Sequence, residues 1–138
     1  MTLEQFRQMH SILIEHYQFI EMHLEGIYAF VCGREFLSGL EEVEKSNMGK
    51  ISFEIKRIEK ERGIEIIPTN LDKRIDEAIR RRNYWCHNCY TDMIFKTNGD
   101  PKKESDVNAM IADYQEAREL REILFGIKGQ LLDKFKRL

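Results

Sequence analysis

Apolar residues return every three or four positions along almost the whole chain, and the only two prolines, Pro68 and Pro101, fall where that rhythm breaks. A repeat of this period puts side chains on one face of an α-helix, and proline is excluded from helix interiors, so the pattern dictates long helices joined by short connections. The longest stripe runs Phe6, Met9, Leu13, Tyr17, Ile20, Leu24, Ile27 and Val31, a face as wide as a bundle helix needs. No stretch alternates with the period of two that a half-buried strand requires. The chain reads as a single all-α domain over residues 1–138, an up-and-down bundle of four to five helices.

Local signals divide the bundle. Thr2-Leu3-Glu4-Gln5 fits a capping box opening a first helix that runs to about Val31, and Gly33 ends it. A short helix is expected over Glu35 to Lys45. Ser46-Asn47-Met48-Gly49 breaks it and caps a further helix through Phe53, Ile55 and Ile58 that stops at Gly63. Ile64 to Thr69, with its β-branched residues and Pro68, reads as an extended connector. Asn70 is expected to cap a fourth helix reaching about Lys96, and Thr97-Asn98-Gly99-Asp100-Pro101 is a turn. A last helix starts near Lys102 or Ser105 and turns Val107, Met110, Ile111, Tyr114, Ala117, Leu120, Ile123, Leu124, Ile127 and Leu131 inward.

Bulk composition excludes several classes. A net charge of −2 does not suit a protein that coats nucleic acid by electrostatics alone. No apolar run is long enough for a membrane span, no secretory leader pattern opens the sequence, and the three cysteines, Cys32, Cys86 and Cys89, make an odd count. A cytoplasmic protein with reduced thiols and no membrane contact is expected. Cys86 and Cys89 have the C-x-x-C spacing, but structural zinc needs four ligands, so they read as core residues and no metal or other cofactor is expected. His16 and His23 lie on the edge of the first helix's stripe, where they read as boundary residues or as lining of an RNA cleft; His10 belongs to the same helix.

The fourth helix carries the one anomaly in the pattern. Its apolar positions are Leu71, Ile75, Ala78, Ile79, Trp85, Cys86, Cys89 and Met93, and Arg82 falls in the middle of that stripe. A guanidinium facing a core must find an anion, because an unpaired buried charge is very costly. Arg82 is therefore either paired structurally, for example to a glutamate on the first or last helix, or held for an anionic ligand such as phosphate. Arg80, Arg81 and Arg82 are consecutive, within a segment from Asn70 to Lys103 that holds eight Lys/Arg against five Asp/Glu. The basic end Lys134-Phe135-Lys136-Arg137 suits a helix C-terminus through its dipole.

The string Arg81-Arg82-Asn83-Tyr84-Trp85-Cys86-His87-Asn88, on a late helix of an all-α domain, resembles the HEPN superfamily of prokaryotic toxins and antiviral nucleases. The pattern of that family is an arginine, a polar residue, and a histidine after four to six intervening positions; Arg82, Asn83 and His87 match it. The resemblance implies a metal-independent endoribonuclease that uses the RNA 2′-hydroxyl as nucleophile and leaves a cyclic phosphate. It implies a toxin–antitoxin or phage-defence setting, a homodimer in which two motif helices share one cleft, RNA as substrate and an antitoxin protein as partner. The chemistry of the residues agrees. Histidine can accept and donate a proton near neutrality. Arginine offers a fork of donors to phosphate oxygens. Asn83, one turn before His87, can orient the imidazole or the phosphate. Tyr90 and Arg81 are the candidate substrate-binding residues, Tyr90 as a donor or a stacking ring.

In a subset of these toxins a tyrosine two residues after the histidine is modified by a nucleotidyltransferase antitoxin. Here that position is Cys89 and tyrosine falls at Tyr90, a departure that bears on control by that route. Two other readings stand beside the nuclease. One is a non-catalytic HEPN-like bundle binding a nucleotide, RNA or a partner protein; the other is a purely structural bundle acting as a subunit. Tyr84 and Trp85 read as core or interface aromatics, and Ile75, Ile79, Trp85, Cys86 and Met93 pack either within the chain or across a twofold.

Overall fold

The computed structural model describes residues 2–92 and 104–136. Among them are five α-helices and no strand: α1 (Leu3–Val31), α2 (Phe36–Val43), α3 (Met48–Arg62), α4 (Asp72–His87) and α5 (Glu104–Lys136). The expected all-α bundle is what the chain forms. The turn expected at Thr97 to Pro101, and Met93, Lys96 and Arg137, lie outside the described residues.

The helix starts and stops follow local chemistry. Thr2 accepts from the Gln5 backbone and Gln5 answers from its side chain, the reciprocal capping box. Asn47 caps α3 through a 2.8 Å bond from the Lys50 backbone N–H. Gly63, at φ 62°, closes α3 in the left-handed conformation that glycine adopts without strain. One boundary differs from expectation. Asn70 lies inside a short 3-10 turn, Thr69–Leu71, and α4 begins after Leu71 with no side-chain cap; packing of buried Leu71 and Ile75 anchors this end in its place. Regular α-helix is interrupted after His87 by a turn at Asn88, helical residues resume through Asp92, and the end expected near Lys96 lies outside the described residues.

Consecutive helices alternate direction, as named pairs along each seam show. Gly39 presses α2 back onto the end of α1, where a Cβ on it would meet Cys32 Sγ at 2.6 Å and the Ala29 Cα at 3.1 Å. α3 returns to that end of the bundle, where Arg62 lies beside Gly33. α4 descends, so Arg81 and Arg74 meet Asp113 and Glu116 in antiparallel order. α5 then runs parallel to α1: His16, Phe19 and His23 meet Tyr114, Arg121 and Phe125 in rising order. The core between them is built on Leu13, Tyr17, Ile20, Leu24, Ile27, Ile51, Ile55, Ile75, Trp85 and Leu120. No described helix is long and apolar enough to cross a membrane.

Candidate functional site

α4 is held from two sides. On the α5 side Asp113 accepts from Trp85 Nε1 at 2.8 Å and from Arg81 Nη1 at 2.7 Å, and Glu116 takes Arg74 through two bonds of 2.6 and 3.1 Å. Trp85 is 1% exposed, so this indole is a core element and its one polar atom has a partner, as burial demands. On the α1 side the Trp85 carbonyl, one of the last-turn carbonyls that a helix leaves unsatisfied, lies 2.7 Å from His10 Nε2 and accepts the Cys89 thiol at 3.1 Å. His10 thus caps α4 from another helix. Burial, opposed by nearby backbone hydrogen bonds, pushes the Cys89 thiol up to about 11, which keeps it protonated and donating.

The motif residues occupy different faces of this anchored helix. Arg82 points along the core-facing stripe, as its position requires, and its guanidinium lies 3.3 Å from the Glu21 carboxylate on α1. The arginine is 30% exposed and the glutamate 19%, so the pair sits at the rim of the α1–α4 seam. Asn83 and His87 are both exposed and share one face, a turn apart. Five helical positions rotate a side chain by about 140°, so His87 looks to solvent while Arg82 looks toward α1. Within one chain the structure joins Asn83 to His87 and leaves Arg82 on another face. Among the described residues no hydrogen bond or ion pair engages His87.

The two candidate substrate contacts are occupied. Arg81 is bound to Asp113 and has Glu77 at 3.7 Å. Tyr90 packs edge-on against Phe6 and His10, with ring centroids 5.6 and 5.0 Å apart, and burial raises its phenol's pKa. Cys86 is exposed and only Cys89 is buried, because a three-residue step on a helix turns one of the pair off the core. Ile75 and Trp85 pack within the chain.

His16 and His23 are more deeply placed than boundary residues, at 7% and 4% exposure. Arg121 Nη1 lies 3.1 Å from His16 Nδ1 and stacks its guanidinium 3.8 Å over the Phe19 ring. His23 lines a cavity of about 360 Å³ between α1 and α5 with Phe19, Met22, Arg121, Phe125 and Lys128. Its Nδ1 has no hydrogen-bond partner among the described residues, and burial, with Lys128 and Arg121 nearby, pulls its pKa down to about 4. The sequence marks Arg82 as needing an anion. Which carboxylate supplies it, and the double role of Asp113, depend on how helices distant in sequence are aligned, and no local pattern signals either.

Comparison of the chain with protein-family models, with curated proteins and with solved structures finds no match.

Proposed function

We propose that this chain is a HEPN-like endoribonuclease acting through the exposed end of α4. The observation that carries the reading is His87: exposed, without a partner among the described residues, and one turn from Asn83 on the same face. In this role the imidazole takes the proton of an RNA 2′-hydroxyl as that oxygen attacks the adjacent phosphorus. The 5′-oxygen leaves with a proton, giving a 2′,3′-cyclic phosphate and a free 5′-hydroxyl. The Asn83 amide orients the ring or a phosphate oxygen. Arg82 is the donor for the charge that builds on phosphorus oxygens. It reaches that charge only by releasing Glu21, so the ion pair acts as a brake that phosphate must displace. A toxin or phage-defence setting, an antitoxin partner and a cytoplasmic location complete the proposal and rest on the resemblance; a homodimer paired through the motif helices is left out of it, because Ile75 and Trp85 of α4 pack within the chain.

The Glu21–Arg82 pair favours a second reading, in which the arginine is structural and the same face binds RNA, a nucleotide or a protein without cutting. A mixed RNA incubated in EDTA with the wild type and with His87→Ala separates the two. Cleavage lost in the variant supports the nuclease; binding without cleavage by the folded wild type supports the module.

A further inference from the structure

An apolar surface lies between α1, α2 and α5, apart from the seams that hold α4. Phe125 (61% exposed) and Leu132 (41%) stand on the solvent face of α5, with Met22 of α1 (44%) beside them. They border a trough of about 610 Å³ between α1, α2 and α5, floored by Gly26, Phe30 and Leu40. Exposed apolar residues scattered singly need no explanation, but a contiguous patch across three helices marks a contact surface. α4, by contrast, spends Ile75, Ala78 and Trp85 inside its own chain.

The order of residues on α5 says what covers the patch. Arg118, Glu122, Phe125, Gly129 and Leu132 follow one another at steps of four, three, four and three, the seam of a helix that packs on another helix. Gly126 and Gly129 weaken a helix relative to alanine. No contact among the described residues explains them, since a Cβ on either meets nothing within 4 Å there. An approaching helix would, because bare backbone lets it come close.

We propose that the solvent face of α5 is the interface of a homodimer, two copies pairing antiparallel about a twofold axis at Phe125. In that register residues equally distant from Phe125 face each other across the axis. Glu122 then meets Lys128 twice over, and Arg118 meets Leu132 with Asp133 beside it. The seam is self-complementary in charge as well as shape. Within its own chain Lys128 lies along Gly26 and finds no carboxylate among the described residues, and Glu122 has only exposed Arg118 at 3.8 Å. The two Phe125 rings meet at the axis, on the edge of each trough. Because Arg74 and Arg81 tie α4 to the other flank of α5, this dimer leaves the Asn83–His87 face open. The inference draws on α5 alone and stands whether or not the chain cuts RNA.

Sedimentation tests it without any activity. The wild type is expected to be a dimer at tens of micromolar, and Phe125→Glu a folded monomer, since an exposed position tolerates the change. Glu122→Lys and Lys128→Glu should each weaken association by about tenfold and the double reversal should restore it. Phe125→Cys in a Cys86→Ser background should oxidise to a covalent dimer, because only a residue on the axis meets its own copy. A wild type that stays monomeric, a dimer indifferent to Phe125→Glu, or charge reversals that do not rescue one another would each overturn the proposal.

Discussion

The Arg82 guanidinium and the Glu21 carboxylate face each other at 3.3 Å across the seam between α4 and α1. This pair reconciles a charge on a core-facing stripe with the cost of burying it: the arginine emerges at the rim, where a carboxylate on the neighbouring helix meets it and water still reaches both. The same contact decides how the proposed site works, because an arginine already paired is not free to bind phosphate.

Removing the carboxylate should therefore release the arginine. Glu21→Gln is expected to raise RNA cleavage or binding by roughly fivefold, the factor that about 1 kcal/mol of a rim ion pair provides. Arg82→Gln should lower it, and a double-mutant cycle on urea stability should return a coupling of about 1 kcal/mol. Unchanged RNA affinity in Glu21→Gln would remove the idea of a brake.

His87→Ala and Asn83→Ala touch exposed side chains, so each should leave stability within about 0.5 kcal/mol of the wild type. If His87 carries the proton, its variant loses cleavage by about a hundredfold or more while keeping RNA affinity. A parallel loss of fold, read by circular dichroism, would move His87 into a structural role.

Asp113 serves Arg81 and the buried Trp85 indole at once. Asp113→Ala should cost about 2 kcal/mol, mostly from the stranded indole N–H, whereas Asp113→Asn keeps an acceptor and should cost less than half of that. Trp85 is the only tryptophan, so its fluorescence reports the change directly. Equal losses in the two variants would contradict the assignment.

Acid should destabilise the bundle through His23. Its folded pKa of about 4 lies below the ordinary 6.5, so between those values the unfolded chain binds the extra proton. This contribution is intact above 6.5 and disappears as pH falls toward 4, a loss of up to about 3 kcal/mol. Burial and the charge of Arg121 lower the pKa of His16 too, in the same sense. Urea titrations near neutrality and at about pH 4.5 should show a smaller difference for His23→Leu than for the wild type. The same difference in both proteins would assign the acid loss to other groups.

What the sequence determined by itself is what short-range chemistry controls. Apolar period, the Thr2–Gln5 box, the Asn47 cap and Gly63 depend on neighbours within a turn or two, and each helix they delimit is present. The core stripes of α1 and α5 follow from the same period. The need of Arg82 for an anion was also legible, because it follows from one charge in one stripe.

Tertiary structure decided what depends on alignment between helices far apart in the chain. α4 starts without the expected Asn70 cap, because buried Leu71 and Ile75 secure that end. Its regular turns break after His87, where His10 from α1 and the Cys89 thiol share the Trp85 carbonyl. Glu21 could be singled out as the partner of Arg82 only once α1 and α4 lay side by side. The divergence of Arg82 from His87 has the same origin: helical rotation separates the two by about 140°, and packing then commits one direction to α1 and the other to water. The period of a stripe can be read from one segment alone. A contact between segments has a geometry only after both have been placed.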